Sequence, residues 1–361
     1  MLKLALLFFA EEKSCRENGA VIDLINEVRG DMGETLLVTG SSGFIGAQVL
    51  RHLAREGERV RVFLRPESHE RALPEGVEVV RGSFSDREAL GRAVCGVDRI
   101  VHLAGVTKAF DEAGYDAGNV MPVKNLLAAV REHNVSLKRF LFVSSLTVAG
   151  PASEGTGGVS ERDIPAPVSA YGRSKLRAEA LCLECAADIP VTIVRPPAVY
   201  GPGDRDVLQV FQMLAKGVLL SAGCSGRQRF SMIYVDDLVE GMMMAARSEA
   251  AAGATYYITS PRSYSWDELI AAAKPVLGFT SIRKLSLPKP LLFFVATLIG
   301  AIGSLRGTPA LINRDKANEL VQDYWVCSSG QAETDFGFRA RTTLAEGVAK
   351  TIAWYRQQGW L

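Results

Sequence analysis

The stretch YGRSK places Tyr171 and Lys175 four residues apart, on one face of a helix. A phenol titrates at about 10 and is by itself a poor proton donor or acceptor at neutral pH. A neighbouring ammonium favours the phenolate and lowers that value, which makes the pair a unit for acid–base work. The lysine is also long enough to reach the sugar of a bound nucleotide. Tyr-x-x-x-Lys occurs often on solvated helix faces, so its weight comes from its surroundings. Ahead of it stands FVSSLTVAG, a strand-like run that ends in hydroxyls, Ser144, Ser145 and Thr147 among them.

A second group of residues could hold the nucleotide. TGSSGFIG sets Gly40, Gly43 and Gly46 around Ser42, Phe44 and Ile45, between a β-branched run and an amphipathic one. A tight turn, close approach of backbone to a pyrophosphate, and a helix packed hard on its strand each need a missing side chain. The helix N-terminus then offers amides and the positive end of its dipole. The spacing G-x-x-G-x-x-G is one residue off the common dinucleotide fingerprint. In VFLRPES the next strand ends on Arg65, with Ser68 nearby, where an acidic residue would hold a ribose 2′-hydroxyl. An arginine suits a 2′-phosphate, so NADP(H) is the expected cofactor, with NAD(H) the alternative.

These residues need a scaffold, and the chain supplies one from Thr35 onward. Strand-like runs at 35–40, 59–65, 77–83, 98–105, 139–145 and 191–197 alternate with helical patterns such as FIGAQVLRHLAREG and NVMPVKNLLAAVREHN. That alternation predicts an α/β fold, a Rossmann-type doubly wound parallel sheet, with a smaller C-terminal substrate lobe interleaved with it. Residues 1–33 are expected to be an N-terminal extension, 34–197 the dinucleotide-binding domain and 198–361 mainly the substrate lobe. Within the last, 233–248 (IYVDDLVEGMMMAARS) reads as a helix returning to the main sheet. The Gly/Ser/Pro-rich stretch 150–169 reads as a long active-site loop.

Composition removes other classes. Lys and Arg number 41 against 40 Asp and Glu, a net charge of +1, so there is no broad basic field for nucleic acid. Of six cysteines only Cys182 and Cys185 form C-x-x-C, inside a helical pattern, and the four histidines do not cluster, so no metal site is expected. The cysteines read as packing residues of a cytoplasmic protein. MLKLALLFFAEEK has too short an apolar core for a secretory signal and no small-x-small cleavage site.

From about Thr35 to its end, the chain resembles the extended short-chain dehydrogenase/reductases. The elements that carry the resemblance are TGSSGFIG, HLAG at 102–105, NVMPVKNLL at 119–127, FVSSLTVAG, YGRSK, RPPAVYGPGD at 195–204 and IYVDDLVEG, in order and at family spacing. The resemblance makes Tyr171 the general acid for ketone reduction, tuned by Lys175, with Ser145 on the substrate oxygen. It sets Ser83 and Phe84 beside the adenine, although the family commonly has Asp where Ser83 stands. Leu103, Ala104, Gly105 and Thr107 would line the cofactor, with Asn119 and Pro197 near it. Ala149 stands where the family often has Tyr, which would leave room beside the substrate. A homodimer is also implied.

Within that family the look is nearest to the branch of 3β-hydroxysteroid dehydrogenases, dihydroflavonol reductases and bacterial lipid ketone reductases. The competing branch is the nucleotide-sugar epimerases and dehydratases, which need cations for the substrate diphosphate. Their usual arginine is displaced here: in RQRFSMIYVDD, Arg229 stands one position early and Phe230 takes its place, which on a strand is the opposite face. Tyr234 replaces the family's His. Arg205, Arg227 and Arg262 remain as substitutes. A non-catalytic dinucleotide sensor is the third reading; such proteins typically lose the Tyr and Lys retained here.

One stretch belongs to none of these motifs. PLLFFVATLIGAIGSL, 290–305, has no charge and follows the cationic SIRKLSLPKP. As a helix its fifteen residues after Pro290 span about 22 Å, short of the roughly 30 Å of a bilayer core. It is either a buried helix or, as the reading preferred here, a cover on the pocket of a hydrophobic substrate, with peripheral membrane contact through 291–305.

Overall fold

A computed structural model of the chain describes residues 33–68, 73–222, 227–279, 281–310 and 313–361. Six strands follow the predicted runs: β1 (Thr35–Thr39), β2 (Arg59–Leu64), β3 (Glu78–Arg81), β4 (Arg99–His102), β5 (Arg139–Val143) and β6 (Val191–Arg195). A seventh, Thr255–Tyr257, joins the sheet beside β6 and has no counterpart in the sequence reading, because three residues are too few for a pattern. The sheet order is Thr255–Tyr257, β6, β5, β4, β1, β2, β3, parallel throughout. The chain order reverses between β1 and β4, which opens a crevice at the carboxyl ends of those strands.

Both faces of the sheet are covered, which is why its strands read as unbroken apolar runs. Leu36 and Val38 of β1 point to one side, where they pack with Val49 and Leu53 of α1 (Phe44–Glu56). Leu37 points to the other, with residues of α2 (Arg87–Val94), α3 (Glu112–His133) and α4 (Ala170–Glu184). Helix α1 ends at Gly57, whose φ of 72° closes it in the left-handed region. α3 starts seven residues before the predicted NVMPV, where Asp111 caps the Gly114 amide at 2.8 Å. Helix α5 (Val235–Arg247) sends Leu238 and Met242 into the same cluster as β1 and α1. Cys182 in α4 and Cys185 at its C-cap are buried against the opposite cluster. Residues 1–32, with Cys15, and Cys224 lie outside the described residues.

The C-terminal part builds short sheets, one of them three-stranded, in the order Tyr264–Ser265, Arg229–Phe230, Tyr324–Trp325. The 150–169 segment is strapped to it: Ala152 N donates to Tyr324 O and Val159 N to Val326 O, both at 2.8 Å. Helix α6 (Lys289–Leu305) is followed by α7 (Arg314–Leu320). Only Leu292, Ala296 and Gly303 of α6 are buried, so it is not a core helix. No helix among the described residues is long and apolar enough to cross a membrane.

Candidate active site

At the β1–α1 junction the glycines are held by backbone. Gly40 has φ 73°, and a Cβ there would stand 2.6 Å from Ala104 N; at Gly46 it would stand 2.3 Å from Gly40 O. No side chain caps α1, so its first amides face the crevice together with exposed Ser42 and Gly43. Phe44 and Ile45 are half-buried in its first turn. The Ser41 hydroxyl is buried without a hydrogen-bond partner among the described residues. A narrow glycine cradle, an uncapped helix end and an orphaned hydroxyl fit a dinucleotide pyrophosphate.

The loop after β4 forms the opposite wall. Leu103 N donates to Thr39 O at 3.1 Å, and the Thr39 hydroxyl meets His102 Nδ1 at 2.7 Å. Burial holds the His102 imidazole neutral, down at about 3. Leu103 and Ala104 are half-buried, while Gly105 and Thr107 are exposed. Asn119 stands behind them: its Oδ1 accepts from Val106 N at 2.8 Å, and its Nδ2 donates to Val106 O and Ser174 Oγ. Its amide is fully engaged, so it fixes the loop to α4. Pro197 is buried past the end of β6.

At the far end of the crevice Arg65 is exposed at the tip of β2. The turn that carries it is held by Arg81 of β3, whose guanidinium donates to the carbonyls of Arg65, Pro66 and Ser68. Ser83 is exposed and bonded to Ser85 at 2.8 Å. The Phe84 ring packs edge-on against Phe63 and His102, so it is half a core residue.

Ser169 caps α4 through the Gly172 amide, which sets Tyr171 and Lys175 in its first two turns. Ser145, at the end of β5, hydrogen-bonds the Tyr171 hydroxyl. Its Oγ also accepts from Thr147 N at 3.2 Å, while the Thr147 hydroxyl is buried without a partner among the described residues. The expected lowering of the Tyr171 pKa is reversed here. Burial pushes the phenol up, and the charge of Glu319 adds to this. Lys175 does not offset it, because its Nζ donates to Val143 O at 2.7 Å and lies over the Phe142 ring. Burial takes that ammonium down to about 8, against the pull of Glu179. Ala149 opens no space beside the site; it is buried with Leu146, Val159, Tyr257 and Cys327.

Helix α7 supplies residues that no motif announced. Both Asp315 carboxylate oxygens accept the Ala170 amide, at 2.9 and 3.0 Å, just ahead of Tyr171. Glu319, one turn along on the same face, is buried. Lys316 bonds its Oε2, and its Oε1 has no partner among the described residues. The only sequence signal was an acidic pair at i, i+4, which is common on solvated helices.

With its doubly wound sheet, glycine turn and Ser–Tyr–Lys grouping, the chain belongs to the NAD-dependent epimerase/dehydratase family, whose model matches residues 36–259, and is an extended short-chain dehydrogenase/reductase. It is an NAD(P)-dependent enzyme that acts on CH–OH or ketone groups. It is 32% identical to a ceramide reductase of Caulobacter vibrioides over 92% of this chain and 97% of that protein. It is 28% identical to a 2-alkyl-3-oxoalkanoate reductase of Stenotrophomonas maltophilia, over 88% and 98% of the two chains. A solved structure of MoeE5 in complex with UDP-glucuronic acid and NAD matches with a TM-score of 0.70 at 26% identity, over 90% of this chain and 100% of that one.

Proposed function

We propose that the protein reduces a ketone to a secondary alcohol on a hydrophobic, lipid- or steroid-like substrate, with NADPH as the reductant. The observation that carries this over a sugar-nucleotide reading is the state of the cations that could grip a diphosphate. Arg229 donates to Ser263 Oγ and O, and Arg262 pairs with Glu268 at 2.7 Å. Arg205 lies over Trp360, and Arg227 pairs with Glu154. Phe230, in the place of the diphosphate arginine, packs on Trp266 with ring centroids 4.6 Å apart. The two reductases named above support the same reading.

A nicotinamide bound in the crevice would supply the hydride for the carbonyl carbon. Tyr171 donates its phenolic proton to the carbonyl oxygen, and Ser145 hydrogen-bonds that oxygen, so negative charge forming there is met by two hydroxyls. Lys175, whose Nζ donates to Val143 O in the ligand-free protein, would hold the nicotinamide ribose. Arg65 takes the 2′-phosphate by a charge-assisted contact, on a turn held in place by Arg81. The test follows NADPH and NADH oxidation with long-chain oxo-acyl, sphingoid and steroid ketones, and separately epimerisation of UDP-sugars. Turnover of a UDP-sugar with none of any lipid ketone overturns the reading.

A further inference from the structure

Helix α6 has two sides. Leu291, Phe294, Leu298, Ile302 and Leu305 recur every three or four residues, and all are 41% or more exposed, Phe294 at 67% and Leu305 at 88%. The opposite stripe carries Leu292, Ala296 and Gly303, all buried, and a Cβ on Gly303 would stand 2.8 Å from Thr308 O. That inner side walls an open cleft of about 440 Å³, shared with Ala109, Phe110 and Asp315. Asp315 in turn holds the amide ahead of Tyr171. Asp315 therefore stands between this cleft and the catalytic helix.

Charge decides what covers the outer side. From Ser281 to Asn313 the chain has no Asp or Glu. Lys289 and Arg306 are exposed at the two ends of α6, and Arg283 is exposed in the strand before it, Arg283–Leu287; none of the three has an ionic partner among the described residues. Lys284 alone is paired, with Asp267. A second copy docked through this segment by a two-fold axis would bring cationic segments together, with no acid of 281–313 to answer them. An apolar stripe edged by unpaired cations matches a surface that is greasy inside and negative at its rim.

We propose that α6 seats on the surface of an anionic lipid bilayer, its outer stripe at the headgroup–acyl boundary, with Lys289 and Arg306 among the lipid phosphates. The helix lies along the surface, since its seventeen residues are too few to span. The docking does not rest on the lipid-ketone reading above.

Cosedimentation of the full chain with phosphatidylcholine–phosphatidylglycerol vesicles, compared with phosphatidylcholine alone, is the test. Binding is expected to the anionic vesicles and to fall with added salt. The Phe294→Ser/Leu298→Ser variant loses it, and Lys289→Gln/Arg306→Gln weakens it about tenfold or more. The charge variant keeps the proposal testable if the serine variant fails to fold. Equal binding by wild type and both variants, or no vesicle binding at all, overturns it. So does a wild-type dimer in size-exclusion chromatography that the serine variant dissociates while vesicles bind neither, because the face then belongs to a second copy. Turnover of a short, water-soluble ketone should be unchanged in both variants. Vesicle binding without turnover of any ketone would sink the proposed reaction and leave the docking standing.

Discussion

Burial keeps the Tyr171 phenol protonated well above neutral pH, which suits donation to a carbonyl oxygen better than abstraction from an alcohol. Tyr171→Phe retains the ring and removes only the donor. Its kcat for ketone reduction is expected to fall about 10²–10⁴-fold with NADPH affinity nearly unchanged, and activity above about a tenth of wild type would refute the assignment. Lys175 is expected to set the alkaline limit of activity. Its ammonium titrates at about 8 in the ligand-free protein, so kcat/KM should be level below that pH and fall above it. Stability runs the other way. The folded state favours the neutral amine, and an unfolded lysine keeps its proton to about 10.4, so the ligand-free protein gains stability as pH rises through that window. Glycines, tyrosine, lysine and serine were legible in the sequence because their chemistry demands those types at fixed spacing. The direction of the Tyr171 shift was not, since burial and the placing of Glu319 and Lys175 are properties of the folded chain. Asp315 was equally hidden, 145 residues from the amide it holds.

The catalytic helix is tied to the sheet by one buried ion pair. Arg195, at the end of β6, donates from Nε to Glu179 Oε1 at 2.9 Å and from Nη2 to Oε2 at 2.6 Å, with Nη1 on the Tyr257 hydroxyl. α4, β6 and the edge strand therefore meet at a single guanidinium. Glu179→Gln leaves that charge buried and unanswered, and should cost roughly 3–5 kcal/mol in denaturant unfolding. It also removes the carboxylate that holds the Lys175 pKa up, so the alkaline limb of kcat/KM should move to lower pH. An unchanged limb with reduced stability would make Glu179 a purely structural residue. Six strands and the glycine-turn helix were readable because βαβ units bury both sheet faces and leave a plain periodic signal. The Thr255–Tyr257 strand is too short for one, and α6 carries a signal with two meanings. Its apolar run reads equally as core or as surface until the fold shows which side is covered.

At the scale of the whole molecule the crevice is assembled from four separate parts: the glycine turn, the tip of β2, the loop after β4 and the catalytic helix. A dinucleotide that touches all four binds only the folded chain, so its affinity adds to stability. At a concentration a hundred times its Kd the gain is about 2.7 kcal/mol, read as a rise in Tm. If Arg65 meets a 2′-phosphate, NADPH should raise Tm more than NADH at equal concentration. Arg65→Asp should then abolish that difference by weakening NADPH, while the NADH response is kept or improved. Arg65 is exposed and its turn is held by Arg81, so the substitution should leave the Tm of the ligand-free protein nearly unchanged. The comparison of ligand-free and ligand-bound Tm thus separates recognition from folding. Equal NADPH and NADH shifts in the wild type would return the cofactor assignment to NAD(H), and would leave Arg65 as a solvated residue at the rim of the sheet.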